Sequence, residues 1–540
     1  MAIREYGGGK EMNRRIFLLL LGILVFLSGA CRPAGVSQLI FGLASSPERL
    51  VPITLRNPET SPISMQIFEG LFDLTEEGEV VPRLIERWET KDYQTWTFHV
   101  RKGVYFHSSP IFQNETREVT ADDIIYSLTR FSSPEAFPSF LLTDSITGAR
   151  EYNQGKAKYV AGLKLIDTYT LVVELLRPQR FFLNCLSTAW ICVFPKELDR
   201  KEFSDRVGLS IAVGTGPYAL ESRTENEVVL KKNERYWDRN NIPKIDKIFF
   251  RVIRSDQVRF ANLQKGNINM MILPNSLFQA AFNRDGTLKE SLRDKYKIKG
   301  VPSFNSHFIG INNKLVPDVN LRRAMFWGTN RDEMIKTILF GYADETGGTI
   351  PPGMNGYSPP FGNVFDLEKA KVFLRKSNYK GEPLKFLVHE IGNSEQIGQI
   401  FQAQMSKIGI NVVLEKLDYN SLINRMIKGE APLFSMFVEY VFSSPEPVLI
   451  NLFSTSKIPV PNFFQFSNKS VDKMLEELYD MKDEREAVRY SAEIESKVMD
   501  DVPAIFLYRQ KYVILYSNNM EGLELSGNNH YFLEKLRFIN

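Results

Sequence analysis

Alternating apolar and polar side chains predict a β-hairpin in the first quarter of the chain. Trp96, Phe98 and Val100 alternate with polar neighbours, which is the period of a strand buried on one face. Gly103 follows, and glycine adopts the positive φ that a tight turn requires without steric cost. Because the alternation resumes over residues 104–106, we expect the two runs to pair as a hairpin.

An amphipathic helix is predicted directly after this hairpin. Thr120 is followed three residues later by Asp123, which is the spacing of a capping box at a helix N-terminus. Ile124, Ile125 and Leu128 then form one apolar face.

Similar patterns continue to the end of the chain and mix strands with helices. Strands are predicted at 39–43, 171–175, 412–414 and 502–516. Helices are predicted within 61–73, ending near Gly70, from 318, from 366 and at 397–408. Gly409 ends the last of these helices, and a strand follows it at once. The order helix, glycine, strand indicates an α/β second half.

Length and composition describe an ordinary folded protein of several domains. A chain of 540 residues is too long for a single hydrophobic core and should form two or three domains. Hydrophobic residues make up 43% and charged residues 24%. A formal net charge of +3 spread over this length supplies no basic field, so nucleic-acid binding is not expected.

Motifs of catalysis and metal binding are missing from the sequence. His389 and Glu390 are not followed by the second histidine of a zinc-protease helix. The sequence has no GxSxG elbow and no phosphate-binding glycine loop, and its five histidines are scattered. We therefore expect no enzyme activity, no cofactor and no metal.

The N-terminus is typical of an export signal. Arg14 and Arg15 precede an apolar run at 16–27, which is short for a membrane-spanning helix and suited to a signal peptide. Small residues then lead to Cys31 and resemble a bacterial lipobox, although Leu27 lies four residues before the cysteine. We expect residues 1–30 to be removed and Cys31 to carry a lipid; Met12 is an alternative start.

The other two cysteines, Cys185 and Cys192, fit two interpretations. An exported chain meets oxidising conditions, so a disulfide between them is one. Two buried free thiols are the other, and we favour it because cysteine is among the most often buried residues.

Sequence motifs around the predicted hairpin resemble those of a known family. Trp-Thr-Phe-His-Val-Arg-Lys-Gly-Val-x-Phe-His at 96–107, followed by Thr-Ala-Asp-Asp at 120–123, resembles the oligopeptide- and dipeptide-binding proteins of ABC importers, solute-binding protein family 5. Two further motifs resemble that family: Gly-Thr-Gly-Pro-Tyr at 214–218 and Asn-x-x-Tyr-Trp at 233–237.

The resemblance implies an α/β type II periplasmic-binding-protein fold. Such a fold has two lobes, divided into three subdomains, around a ligand cleft with a hinge. The expected division is a first lobe at 31–73, an inserted subdomain at 74–212, a second part of the first lobe at 213–300, a second lobe at 301–503 and a C-terminal return at 504–540.

The resemblance also places a candidate ligand site. In the family, an Asp in a segment of the second lobe pairs with the amino terminus of a bound peptide, and Ser443 stands at that place here. Serine cannot replace a charge-assisted hydrogen bond, so Glu439 or Glu446 is a candidate substitute. Tyr440 stands where the family has a Trp, and packing in the core is as good an interpretation of Tyr440 and Phe442 as ligand contact. The full set of cleft candidates is Ser45, Ser46, Asn305, His307, Glu439, Tyr440, Phe442, Ser443 and Glu446.

The expected function is capture of oligopeptides or related solutes for an ABC importer by closure of the cleft. The expected partners are the ligand, an ABC permease with its ATPase, and a membrane reached through the lipid at Cys31; we expect a monomer on the periplasmic or extracellular side of the envelope. An adhesin or sensor with the same fold and no transport role is the alternative. A secreted or lipid-anchored hydrolase is a hypothesis from another class of protein, and no candidate nucleophile near a base supports it.

Overall fold

The structure is a computed structural model that describes most of the chain. It covers residues 36–45, 49–54, 61–75, 79–188, 190–354, 356–358, 365–439, 444–525 and 530–539, with the backbone alone at 137, 302–304 and 439.

Strands occur along the whole described chain and are numbered in order. They are β1 Gln38–Leu43, β2 Phe72–Leu74, β3 Val80–Pro82, β4 Ile85–Thr90, β5 Thr95–Val100, β6 Leu163–Asp167, β7 Thr170–Glu174, β8 Tyr218–Arg223, β9 Glu227–Lys232, β10 Lys247–Val252, β11 Met270–Leu273, β12 Tyr296–Ile311, β13 Ala343–Glu345, β14 Leu384–His389, β15 Val412–Leu417, β16 Leu433–Glu439, β17 Ala504–Ser517, β18 Met520–Glu521 and β19 Arg537–Phe538.

The α-helices lie between these strands and become longer in the second half. They are Ser61–Ile67, Ala121–Phe131, Phe140–Thr143, Ala149–Asn153, Phe182–Leu186, Asp256–Gln264, Phe278–Ala281, Glu290–Arg293, Val319–Gly328, Arg331–Leu339, Leu367–Lys376, Ser394–Ser406, Tyr419–Ile427, Glu446–Phe453, Lys469–Asp480 and Glu484–Asp500.

One large sheet runs through both halves of the molecule. Its strand order is β15-β14-β16-β12-β17-β11-β1-β10-β9-β8, with β13 paired to β17. β1 is parallel to β10 and β11, and β14 is parallel to β15 and β16. The two parallel groups are joined through the antiparallel pair of β12 and β17.

The two joining strands are the longest in the described chain and cross from one half to the other. β12 pairs with β17 from Tyr296 opposite Ser517 to Gly310 opposite Ala504. The pairing shifts register between Pro302 and Ser306, and it shifts again between His307 and Phe308. An irregularity of this kind bends a strand and loosens its ladder, so a change in the angle between the halves would be easiest at these two strands.

A separate four-stranded sheet, ordered β4-β5-β7-β6, contains the first strand of the predicted hairpin. The strand prediction is confirmed, because Trp96, Phe98 and Val100 are buried on one face of β5. The predicted hairpin is wrong: β5 pairs with β4 and β7, and residues 104–106 make only an isolated bridge from Tyr105 to Glu118. Local alternation cannot show which distant strand will supply the hydrogen-bond partners.

The helix after this sheet begins as predicted. The backbone N–H of Thr120 donates to the Asp123 carboxylate at 3.0 Å, which completes a capping box. Ile124 and Leu128 are fully buried, and Ile125 is half-buried.

Two hydrophobic cores follow the division into halves. The first contains mainly residues from β1 to β10 together with the C-terminal segment around Leu525 and Leu536, and the second contains Leu74 and mainly residues from Phe260 to Leu515. Side chains of β11 alternate between them, since Met270 packs in the first core and Met271 in the second. Residues 260–296 thus pack with the second core, and the boundary proposed near residue 300 stays a prediction.

Cys185 and Cys192 are both buried free thiols. Burial raises the pKa of each thiol well above its ordinary value, so both are protonated at neutral pH. None of the helices in the described ranges is both long and apolar enough to cross a membrane.

The first half is held together by one buried carboxylate, that of Glu69, which is 3% exposed. One oxygen accepts from Arg83 Nε and from the Tyr236 hydroxyl, both at 2.8 Å. The other accepts from the Thr215 hydroxyl at 2.7 Å and from Trp237 Nε1 at 2.8 Å. Four donors saturate the carboxylate, and Arg83 balances its charge.

The Gly-Thr-Gly-Pro-Tyr motif at 214–218 forms a turn, and its glycines allow the turn to lie close to the C-terminal end of the helix Ser61–Ile67, just before Glu69. A Cβ on Gly214 would lie 2.1 Å from the Ile67 carbonyl oxygen. His107 binds the same turn: its backbone N–H donates to the Gly214 carbonyl, and its Nε2 lies 2.9 Å from the Gly216 carbonyl. Burial lowers the pKa of His107 to about 4, so the ring is neutral at pH 7.

A buried ion pair forms a second connection between the halves, apart from the hinge strands. Arg180, which follows β7, lies 3.1 Å from Glu446 at the start of the helix Glu446–Phe453. Both side chains are less than a tenth exposed. Arg180 also donates to the backbone carbonyls of Asp483 and Leu478, so its guanidinium is anchored at three points.

We predict that Glu69→Ala destabilises the protein strongly, because the substitution leaves several buried donors without an acceptor. Each such donor costs about 1–3 kcal/mol, so the free energy of unfolding should fall by at least about 3 kcal/mol. Urea denaturation followed by circular dichroism measures the change. Glu86→Ala, at an exposed position of β4, is the control and should change it by less than about 0.5 kcal/mol. A loss below about 1 kcal/mol for Glu69→Ala would contradict the role assigned to this carboxylate.

We predict that Glu446→Gln costs about 3 kcal/mol of unfolding free energy, since it leaves the buried Arg180 without a counter-charge. The exposed pair of Arg489 and Glu493 offers a matched control, and Glu493→Gln should cost less than about 1 kcal/mol. Adding Arg180→Met to Glu446→Gln removes the unpaired charge and should recover part of the loss. No recovery in the double variant would show that the two side chains do not act as a pair.

Candidate functional site

A cleft lies where the parallel strands of the two halves end. β1 and β11 are parallel in the first half, and residues 42–44 and 273–276 at their carboxyl ends form one wall. β14 belongs to the parallel group of the second half, and part of the opposite wall comes from its carboxyl end, at His389, Glu390, Gly392 and Asn393. Ligands of open α/β sheets bind outside the carboxyl ends of the strands, so the position is that of a binding site.

The cleft has a volume of about 730 Å³, which is within the usual range of small-molecule sites. Its lining comes from both halves and from the joining strand β17. The residues are Gly42, Leu43, Ala44, Asp256, Arg259, Ile272, Leu273, Pro274, Asn275, Ser276, Ile338, His389, Glu390, Gly392, Asn393, Glu395, Gln396, Gln399, Gln510, Tyr512, Val513 and Tyr531.

Two candidates from the sequence, Asn305 and Ser45, lie next to this lining. Asn305 is half-buried on β12, and its Nδ2 donates to the hydroxyl of Tyr512 at 3.3 Å. Since Tyr512 lines the cleft, Asn305 orients a wall residue. Ser45 directly follows Ala44 at the end of β1.

A third candidate, His307, sits in an aromatic environment behind the cleft. Its ring stacks on Tyr508 with centroids 4.9 Å apart and lies 5.6 Å from Phe437. Burial lowers the pKa of His307 to about 4, and the neighbouring His389 lowers it further in the same direction. The imidazole is therefore neutral at pH 7 and offers hydrogen bonds instead of charge.

The turn after β14 supplies the polar wall of the second half. His389 is 4% exposed, and its Nδ1 accepts from the Ile391 backbone N–H at 3.2 Å. Burial lowers the pKa of His389, and the Glu390 carboxylate opposes that shift only in part. Glu390 is exposed, and Asn393, which directly precedes the helix Ser394–Ser406, is 9% exposed.

The first half contributes a pre-organised ion pair to the opposite wall. Arg259 Nη2 donates to Asp256 at 2.5 Å, and Nη1 donates to the Ile253 carbonyl at 2.6 Å. The Arg259 side chain is 4% exposed, and Asp256 also accepts from Ser276 at 3.0 Å. These contacts hold the Arg259 guanidinium in place, and the Asp256 carboxylate neutralises its charge.

The remaining candidates are placed as follows. Glu446 is buried and bound to Arg180 and to the Ser444 hydroxyl, so both of its oxygens have partners within the protein. The backbone of Glu439 pairs with that of Asn305, and the Glu439 side chain is not among the described atoms. Ser46, Tyr440, Phe442, Ser443 and the lipidation candidate Cys31 lie outside the described residues.

Sequence reasoning missed most of the polar wall. Glu390, Asn393, Gln396 and Gln399 were not among the candidates, although all four line the cleft. These polar residues lie between the end of β14 and the first turns of the helix Ser394–Ser406, which is where α/β proteins bind ligands, and a strand at 384–389 was not among the predictions. Within the described ranges, no group of three or more His, Cys, Asp or Glu side chains is arranged to hold a metal ion.

Curated relatives cover nearly the whole length. The chain is 24% identical over 513 residues to the dipeptide-binding protein of Escherichia coli strain K12, covering 91% of this chain and 92% of that protein. It is 24% identical over 530 residues to the periplasmic oligopeptide-binding protein OppA of Salmonella typhimurium, with the same coverage of each. It is 25% identical over 523 residues to the glutathione-binding protein GsiB of Escherichia coli strain K12, covering 94% of this chain and 95% of that protein.

Solved structures show the same fold. HbpA2 from Haemophilus parasuis has a TM-score of 0.79 at 21% identity and covers 93% of this chain and 99% of its own. OppA from Haemophilus influenzae, in complex with RPPGFSPFR, has a TM-score of 0.69 at 20% identity and covers 94% of this chain and 99% of its own. The expected two-lobe type II fold is confirmed.

The family itself is shown by a match along most of the chain. The model of the bacterial extracellular solute-binding proteins, family 5, matches residues 79–459, which include the hinge strand β12 and the polar wall after β14. Members of this family are substrate-binding components of transport systems and not enzymes. The chain belongs to the bacterial extracellular solute-binding proteins, family 5.

Proposed function

We propose that this protein captures peptides or related small solutes outside the cytoplasm and delivers them to an ABC importer. The observation that carries the proposal is the cleft of about 730 Å³ between two halves that are joined by β12 and β17. A ligand in such a cleft contacts both walls, so it favours the closed arrangement of the halves. The relatives named for dipeptides, oligopeptides and glutathione support a peptide-like ligand.

The proposal includes the partners and the place of the protein. Its partners are the ligand, an ABC permease and the ATPase of that permease, and the protein acts as a monomer. A lipid on Cys31 holds it at the periplasmic or extracellular face of a membrane. The two lobes are those set out in the sequence analysis, with the inserted subdomain at 74–212 and the second lobe at 301–503.

Native mass spectrometry of protein purified without denaturation identifies the natural ligand. We expect a bound peptide or small solute that unfolding releases, and deletion of the gene should then abolish uptake of that compound. Unchanged uptake after deletion would favour the adhesin or sensor over the importer component.

We predict that the identified ligand compacts the protein. Closure about β12 and β17 brings the two walls together, so small-angle X-ray scattering at saturating ligand should show a smaller radius of gyration than the ligand-free protein. Ligand-free protein with an unrelated peptide of equal length is the control. An unchanged scattering profile with bound ligand would contradict closure.

We predict that Cys31 is acylated in the exported protein. A buried acyl chain contributes about 0.8 kcal/mol per CH₂, so the mature protein should partition into a detergent phase. Cys31→Ala should remain in the aqueous phase, with Cys185→Ala as a control that keeps the anchor. Mass spectrometry that finds an unmodified Cys31 in the mature protein would refute the anchor.

A further inference from the structure

The charges lining the cleft are mostly neutralised by the protein itself. Arg259 is bound to Asp256, and both side chains have further contacts to the Ile253 carbonyl and to Ser276. Glu395 pairs with Lys416 at 2.6 Å. Among the lining residues that the structure describes, a ligand carboxylate therefore meets no cation free of a protein partner.

Glu390 differs from these groups. It is exposed at the carboxyl end of β14, and its contact within the described chain is a backbone N–H from Tyr419 at 3.3 Å. The adjacent His389 does not balance the charge, because burial lowers its pKa and keeps the ring neutral at pH 7. Glu390 is thus a carboxylate that faces the cleft without a cationic partner in the described residues.

A second polar group beside Glu390 keeps hydrogen-bonding capacity for a ligand within the part of the chain that the structure describes. Asn393 lines the cleft and is 9% exposed. Among the described residues its Nδ2 makes no hydrogen bond of full geometry, and the neighbouring polar group is the Tyr508 hydroxyl. Buried side-chain donors are nearly always hydrogen-bonded, so a donor left unbonded in the wall of a cleft points to a ligand acceptor. Gln396 and Gln399 are exposed and line the cleft one and two turns further along the same helix.

The other acids considered for this role do not match Glu390. Glu446 is occupied by Arg180 and Ser444, and Glu395 is paired with Lys416. A carboxylate in a partly enclosed cleft binds an ammonium or guanidinium group through charge-assisted hydrogen bonds, about twice as strong as neutral ones.

We propose that Glu390 binds a cationic group of the ligand and that Asn393 donates to a neighbouring carbonyl oxygen of the same ligand. The cleft then selects solutes with an ammonium or guanidinium group over solutes of equal size that carry a net negative charge. This inference rests on the proposed function and adds the chemical class of its ligand. The cation is either the amino terminus of a peptide or a basic side chain, and the experiment separates the two.

Calorimetric titration of ligand-free protein tests the inference. The probes are Ala-Lys-Ala, Ala-Gln-Ala and Ala-Glu-Ala, each with a free and with an acetylated amino terminus, together with the polyamine spermidine. The proteins are the wild type, Glu390→Gln, Asn393→Ala and the control Glu476→Gln, an exposed acid on the helix Lys469–Asp480 outside the cleft.

We expect the wild type to bind the best cationic peptide at least about tenfold more tightly than Ala-Glu-Ala, which is the worth of one charge-assisted hydrogen bond. Glu390→Gln should reduce that preference to within about threefold, Asn393→Ala should weaken all peptides alike, and Glu476→Gln should change nothing. Loss of binding on acetylation of Ala-Gln-Ala identifies the amino terminus as the cation, whereas tight binding of acetylated Ala-Lys-Ala identifies the side chain.

The titrations distinguish failure of this inference from failure of the proposed peptide-binding function. A charge preference that survives Glu390→Gln, or equal binding of Ala-Glu-Ala, overturns the inference and leaves a peptide-binding function intact. Binding of spermidine alone, lost in Glu390→Gln, supports the inference and overturns the peptide part of the proposed function. No binding of any probe by folded wild-type protein overturns both.

Discussion

One saturated carboxylate determines how the first half of this molecule is assembled. Glu69 receives donors from Arg83, Thr215, Tyr236 and Trp237, which are spread over more than a hundred and fifty positions of the chain. An ionised group buried without partners is far too costly to occur in a stable fold, so these segments must come together for the half to form. The motifs Gly-Thr-Gly-Pro-Tyr and Asn-x-x-Tyr-Trp therefore both supply donors to the Glu69 carboxylate. They hold the end of the helix Ser61–Ile67 and the strand β2 in place.

A first half held together in this way can move as one body in the closure that we propose. The pairing of β12 with β17 is regular near Tyr296 and near Gly310 and is interrupted between Pro302 and Ser306. Bending at the interruption breaks few hydrogen bonds, whereas bending elsewhere would break a regular ladder. Because each wall is built on the ends of parallel strands inside one half, rotation at this point changes the distance between the walls and preserves the geometry within each wall. The Arg180 and Glu446 pair restrains that rotation from a separate place.

Much of the fold could be predicted because its signals are local. The alternation at Trp96 and Phe98 and the capping box at Thr120 each depend on neighbours within a few residues. The hairpin at 104–106 was wrong because strand partners are chosen by distant segments. The polar wall was missed for a related reason: Glu390 and its neighbours are ordinary surface residues until the sheet brings β14 opposite β1. The resemblance supplied the fold, yet it directed attention to the segment around Ser443 and away from the turn after β14.

The contrast between Glu390 and Glu446 shows what a sequence leaves undecided about charge. Both are glutamates of the second half, and both are near a turn that precedes a helix. Glu446 lies opposite Arg180, so its charge stabilises the contact between the halves and is not available to a ligand. Glu390 faces open space between the walls, and burial keeps the adjacent His389 neutral. The chemical role of each carboxylate is set by the nearest cation. For Glu446 that cation is Arg180 from a distant part of the fold, and for Glu390 we propose that it comes from the ligand.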